Sequence, residues 1–187
     1  MYKRQVGAAY DFGSGFTAAV GTQTAATSVF TEESGDAYAL NAAYTADKYA
    51  ISLTYGVVEA VDANDALTDE EDKFTAINAY YTPDAEGLPS ISVGYEFGDI
   101  GGAAAGADEQ ASFMVGLTWD EVGPGSAGVA LGHSNTNENA DELYQYEAYY
   151  EYPVNDSMTI TPLIYTLDAA GDADDTTGMM VKTSFSF

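Results

Sequence analysis

The stretch Leu143-Tyr-Gln-Tyr-Glu-Ala-Tyr-Tyr-Glu-Tyr152 carries the fold in its spacing. Tyr144, Tyr146, Ala148, Tyr150 and Tyr152 alternate with Gln145, Glu147, Tyr149 and Glu151. Successive side chains of a β-strand point to opposite faces, so a period of two predicts a strand with one apolar and one mostly polar face. The pattern recurs up and down the chain. Ala111, Phe113, Val115, Leu117 and Trp119 alternate with Ser112, Met114, Gly116 and Thr118. Ile91, Val93, Tyr95 and Phe97 alternate with Ser92, Gly94 and Glu96, and Val181, Thr183, Phe185 and Phe187 with Lys182, Ser184 and Ser186.

Worked outward, the alternation predicts an all-β chain of about eleven strands. Their starts fall near Val6, Phe16, Asp36, Lys48, Lys73, Ser90, Gln110, Ser126, Leu143, Met158 and Gly178. Residues 75–81 and 159–167 are apolar on both faces, which leaves their parity open, and residues 22–31 fit either the second strand or the loop after it. The connections are expected to alternate in length. Residues 13–15, 46–47, 83–89, 121–125 and 154–157 read as short turns; 22–35, 60–72, 98–109, 135–142 and 168–177 read as long loops. Most of the acid sits in the long ones, with Asp62, Asp65, Asp69, Glu70, Glu71 and Asp72 in one and Asp168, Asp172, Asp174 and Asp175 in another.

Short turns on one side and long loops on the other are the layout of an outer-membrane barrel. Strand length agrees: roughly ten residues at ~3.4 Å each, tilted ~40°, span about the 25 Å apolar band of such a membrane. The aromatics sort by position. Phe12, Phe16, Tyr44, Tyr49, Tyr81, Trp119, Tyr152 and Phe187 fall beside short turns or at the chain end, where a periplasmic aromatic girdle belongs. Tyr38, Tyr55, Phe97 and Tyr144 fall near the long loops, as a second girdle would.

Bulk composition narrows the function. There are 30 Asp+Glu against 5 Lys+Arg, a formal net charge of −25, which excludes nucleic acid as a partner because that needs a basic footprint. Fifteen Tyr, 8 Phe and 19 Gly suit strands that meet an interface. The chain has no Cys and no run of about 18 apolar residues, so neither a disulfide framework nor a transmembrane helix is expected.

The closing segments Tyr150-Glu-Tyr-Pro-Val-Asn-Asp-Ser-Met-Thr-Ile-Thr-Pro-Leu-Ile-Tyr165 and Val181-Lys-Thr-Ser-Phe-Ser-Phe187 resemble cyanobacterial-type outer-membrane porins, relatives of the carbohydrate-selective OprB group. The specific resemblance covers roughly the last 45 residues; elsewhere only the architecture matches. It implies a barrel of about sixteen strands behind a signal peptide and an S-layer-homology domain. It also implies a terminal Phe187 that presents the last strand to the barrel assembly machinery, and passage of ions and small nutrients, among them sugars or inorganic iron. An odd count of strands does not fit a closed bacterial barrel, which has an even number. The first and last strands would run the same way, so an open or gapped sheet is expected, with upstream strands belonging between them. Residues 1–5, which hold two of the five basic residues and lead straight into a strand, read as a non-native remnant; 6–187 read as the C-terminal part of one outer-membrane barrel domain.

No catalytic constellation emerges. His133, Ser134 and Asn135 are consecutive, so along a strand they point to alternating faces and cannot meet. The run from Asp62 imitates a calcium loop through Asp62 and Asn64, but Ala66, Leu67 and Lys73 stand where a ligand, a turn glycine and a bidentate Glu belong. Asp172-Ala-Asp-Asp is a looser match, and both read as solvated acidic loops. Residues 98–106 are Gly-rich without a phosphate-binding Lys, so they read as a plain loop. Neither metal nor cofactor is expected.

Function is therefore sought on the polar faces. Lys48, Ser52 and Thr54 share the inward parity, followed by Ser92, Glu96, Gln110, Ser112 and Thr118. Gln145, Glu147, Glu151, Lys182 and Ser184 complete the expected pore lining. The expected protein is a porin, passive and not enzymatic, set in the lipid of a bacterial outer membrane, with its acidic loops outside and its C-terminus periplasmic. Its lining Glu residues outnumber its Lys, which predicts cation preference. A homotrimer is the expected assembly of the full-length protein. Two alternatives predict different things. A non-transporting barrel or adhesin would work through its acidic surface loops, and a soluble β-sandwich would cover the apolar stripes with a second sheet.

Overall fold

The computed structural model describes residues 4–24, 36–61, 67–101, 103, 108–134 and 141–186. Eleven strands follow in chain order: β1 Arg4–Gly13, β2 Phe16–Thr24, β3 Asp36–Thr45, β4 Tyr49–Val61, β5 Leu67–Tyr81 and β6 Ser90–Asp99, then β7 Glu109–Val122, β8 Gly125–Ser134, β9 Leu143–Asn155, β10 Met158–Leu167 and β11 Thr176–Phe185. They form one antiparallel meander in the order β1 to β11. Among the described residues no ladder joins β1 to β11, so the sheet is unclosed, in line with the odd strand number, which would leave these two strands parallel.

The chain divides into two compact units. The first takes Met1–Ala79, Tyr95–Ala111 and Thr136–Ala140; the second takes Tyr80–Gly94, Ser112–Asn135 and Asp141–Phe187.

In the first unit β1 enters the ladder earlier than Val6, since Arg4 pairs with Thr24 and Gln5 with Gln23, whose side-chain amides also bond at 2.6 Å. The β1–β2 reversal is a two-residue turn with φ of 55° at Ser14 and 89° at Gly15, the left-handed pair that matches strand twist in tight hairpins. Asp11 Oδ1 accepts from the Gly13 N–H at 2.8 Å and fixes the entry to this turn. Gly15 is required twice over, because a Cβ there would overlap the Thr45 carbonyl.

Registers β1–β2, β2–β3 and β3–β4 put Val6, Ala8, Tyr10, Ala18, Val20, Leu40, Ala42, Leu53 and Tyr55 on one face. Gln5, Gly7, Ala19, Gly21, Gln23, Ala39, Asn41, Ser52 and Thr54 take the other.

The acidic segment before Lys73 departs from its expected form. β5 begins at Leu67, so Asp69, Glu70, Glu71 and Asp72 belong to a strand and only residues 62–66 lie between β4 and β5. Hairpin pairing satisfies the backbone whatever the side chains are, and in strands of 13 and 15 residues the charged ends outrun the roughly ten that an apolar band needs. Because residues 82–89 separate β5 from β6, the short–long alternation fails at this hairpin. Lys48 is also displaced. It sits in the connection 46–48, where the Ala46 N–H donates to the Tyr49 carbonyl at 2.8 Å, and the reversal leaves it no strand position. Asp62, Asn64, Ala66, Asn135, Phe187, all of residues 25–35 and most of 102–107 lie outside the described residues.

In the second unit the registers run without a break from β7 to β11, apart from irregularities at Trp119–Val122 and Met158–Thr159. They settle the parity of β10. Thr159, Leu163, Tyr165 and Leu167 share a face with Glu147, and Ile160, Ile164 and Thr166 share the other with Tyr146.

No large apolar side chain is buried among the described residues. A β-sandwich is thereby overturned, because it would bury the apolar stripe between two sheets, whereas here a single sheet leaves it open. Val129 is 43% exposed, Val181 65% and Met179 83%.

Candidate functional site

The sheet's two faces are chemically distinct, and each unit shows this separately. On one face of the second unit, Phe113, Val115, Leu117 and Trp119 on β7 pair with His133, Leu131, Val129 and Ala127 on β8. Those in turn pair with Tyr144, Tyr146, Ala148 and Tyr150 on β9. The face continues through Tyr152, Ile160, Ile164, Met179, Val181 and Phe185.

The opposite face carries the polar residues. Gln145, Glu147 and Glu151 on β9 stand beside Gly132, Ala130 and Ser126 on β8. Met114 and Gly116 on β7 continue these rows, and strand alternation adds Ser112 and Thr118. Ser92 joins them, its Cβ within 3.8 Å of where a Cβ on Gly116 would lie. Lys182 and Ser184 enter through their β10 partners Thr161 and Thr159. Thr161, bracketed by the pairs Ile160–Tyr152 and Leu163–Tyr149, stands opposite Glu151, so a carboxylate and an ammonium flank one buried threonine. At roughly two inter-strand spacings, ~10 Å, such charges set a local field without forming a contact pair.

Small residues recur on this face, among them Gly116, Gly128, Ala130 and Gly132. Met114, Ala130, Gly132, Gln145, Glu147, Tyr165 and Leu167 border an open depression of about 440 Å³. In the first unit the row Gly7–Gly21–Ala39–Gly56 crosses four strands on the face of Gln5 and Gln23 and borders another of about 510 Å³. On that face the Asn41 Nδ2 donates to Thr54 Oγ1 at 2.8 Å. Glu96 has the parity of Gly98, whose position meets the Phe74 ring, and Gln110 lies one residue into β7.

The aromatics gather at strand ends. Beside the short turns of the first unit, Tyr10 and Phe12 lie 4.8 Å apart, Phe16 and Tyr44 4.5 Å, and Tyr44 and Tyr49 5.8 Å. Tyr81 closes β5, while Trp119 and Tyr152 come three residues before the ends of β7 and β9. At the opposite ends of β7, β8 and β9, His133 is stacked on Phe113 at 5.2 Å and tilted against Tyr144 at 5.1 Å. The structure makes His133 a ring among rings on the apolar face, a role signalled only by its parity with Leu131 and Val129. Tyr149 and Tyr165 are aromatic residues on the polar face; the alternation of β9 indicates the first, whereas the parity of Tyr165 follows only from the β10 register.

Carboxylates in the loops and in β5 accept from backbone N–H groups. Asp168 Oδ2 accepts from the Tyr144 N–H at 3.1 Å, Asp141 Oδ2 from the Gly171 N–H at 2.6 Å, and Asp72 Oδ1 from the Gly101 N–H at 3.0 Å. Among the described residues no three His, Cys, Asp or Glu side chains form a metal-holding group.

No protein-family profile matches the chain, and no curated protein matches it. Solved structures do. Three substituted variants of Rh. blastica porin align over 99% of this chain, at 16%, 16% and 17% identity and TM-scores of 0.59, 0.60 and 0.61. This chain spans 55% of theirs, about half of the porin's length. The likeness is one of fold.

Proposed function

We propose that this chain is part of an outer-membrane porin, a passive, non-enzymatic, water-filled pore for ions and small hydrophilic solutes. One observation carries the reading. Each unit presents an exposed apolar face backed by a more polar one rich in small residues, with no buried apolar core among the described residues. In water such a sheet would leave a large apolar surface exposed, which soluble monomers avoid. In a bilayer the same surface meets lipid and the ladder satisfies the backbone. The porin-like fold supports the assignment.

The polar residues then take the role of lining: Ser52, Thr54, Ser92, Glu96, Gln110, Ser112, Gln145, Glu147, Glu151, Lys182 and Ser184. The aromatic chains around Phe16, Tyr44 and Tyr49 and around Trp119 and Tyr152 take the role of girdle. We assign residues 6–187 to the C-terminal part of a longer barrel, a reading supported by the lack of a β1–β11 ladder among the described residues and by the half-length match. The pieces at 150–165 and 181–187 favour the OprB-related group within porins. Planar-bilayer recording on the full-length protein tests the function. Stepwise, ohmic conductance is expected; a protein that folds in detergent yet never conducts would identify a non-transporting barrel instead.

A further inference from the structure

Two tyrosines on the polar face of the second unit do not stand up from the sheet. In the row Thr118–Gly128–Tyr149, the Tyr149 ring lies across Gly128. A Cβ on Gly128 would overlap the ring's Cε1, Cζ and hydroxyl. That hydroxyl continues to Thr118 Oγ1 at 3.4 Å, one strand beyond the glycine. Tyr165 lies in the same way on its direct partner Gly178, where a Cβ would overlap Cζ and the hydroxyl and sit 2.8 Å from Cε1. The first unit repeats the motif with Phe74 on Gly98, at 2.7 and 2.9 Å from two ring carbons. The neighbouring Gly132 differs: a Cβ there would have nothing nearer than 3.9 Å.

Glycine within a strand weakens it unless another group needs the space. Here that group is a ring. A strand tyrosine in its ordinary rotamers stands roughly perpendicular to the sheet and projects about 6 Å from the wall. Folded onto a glycine, it adds little more than the thickness of a ring, while the hydrogen bond and the contact area hold it down.

We propose that Gly128 and Gly178 set the calibre of the pore by holding Tyr149 and Tyr165 flat against its wall. These glycines are specificity-determining residues although neither offers a group to a solute. The inference rests on the pore reading and deepens it. A branched side chain at either glycine evicts its tyrosine into the lumen, which lowers conductance and the size limit for neutral solutes together.

The test is single-channel recording on the full-length protein with Gly128→Val, Gly178→Val and the control Gly132→Val. Lower unitary conductance is expected for the first two and a smaller loss for the control. Tyr149→Ala added to Gly128→Val restores conductance to near the wild-type level. Equal losses at Gly128 and Gly132, or a loss that Tyr149→Ala does not relieve, would overturn the inference with the pore reading intact. A wild-type protein without conductance would overturn the pore reading itself. Should Gly128→Val not fold, the wild type in micelles suffices. Ring-current shielding must move the Gly128 Hα resonances upfield relative to Tyr149→Ala, and resonances at the same position in both would refute the packing.

Discussion

Val129 and Ala130 are neighbours on β8 with opposite surroundings, and an arginine at each should have opposite consequences. Val129 lies between Leu117 and Ala148 on the apolar face and is 43% exposed, and on the porin reading lipid completes its environment. Arginine on the lipid face of a barrel costs about 2–4 kcal/mol near the midplane. Snorkelling of its long stem trims that toward the lower end, to about 2–3 kcal/mol. That is roughly a 30- to 150-fold loss in the folding equilibrium constant. With a urea slope of about 1–3 kcal/mol per molar, the midpoint falls by roughly 0.7–3 M. Ala130 lies between Gly116 and Glu147 on the polar face. An arginine there stays in water beside a carboxylate, an arrangement worth about 0–1 kcal/mol in its favour. Urea titration of both variants in lipid vesicles, followed by tryptophan fluorescence, provides the comparison. Equal midpoints, or a larger loss at Ala130, would refute the assignment of faces.

Further expectations concern other parts of the same wall. Reversal potentials in a salt gradient should report cation preference, reduced by the double substitution Glu147→Gln, Glu151→Gln; anion preference in the wild type would contradict the lining. Trp119, the chain's one tryptophan, should show blue-shifted emission and quenching by lipids brominated on their chains, whereas quenching only by aqueous iodide would place it away from the membrane. Gly15→Val should cost more than about 1–2 kcal/mol, because a left-handed φ and the Thr45 carbonyl both oppose it, while Gly13→Ala, where φ is also left-handed at 78° but the space is open, should cost only the backbone part of that in the same urea titration.

Much of the fold was legible because a two-sided wall must write its period into the chain. Wherever apolar and polar residues strictly alternate, as in β6, β7, β9 and β11, strand and face follow together. Legibility ended where one face needed an exception. β10 looked apolar on both sides because its polar face carries Leu163, Tyr165 and Leu167, and only the register with Glu147 separates the two. β5 looked like a loop at its start because charge was taken to mean a loop, although a hairpin tolerates charged side chains in a paired strand. The seats of Tyr149 and Tyr165 could not be read along the chain, because each glycine partner lies on a neighbouring strand. Gly128 and Gly178 become informative only once the registers set them opposite those rings. His133 is polar by residue type, and its place on the apolar face follows from its parity with Leu131 and Val129.

The chain contains no cysteine, so each one introduced carries a unique spin label. Labels at successive positions 145–151 of β9, on the full-length protein in lipid vesicles, give collision rates with oxygen, which partitions into lipid, and with a water-soluble nickel chelate. A porin wall requires both rates to oscillate with period two and in opposite phase. Oxygen should peak at 146, 148 and 150, and nickel at 145, 147, 149 and 151. Rates that show no period, that rise and fall together, or that place nickel at 146, 148 and 150 would contradict the claim that this sheet stands between lipid and a water-filled pore.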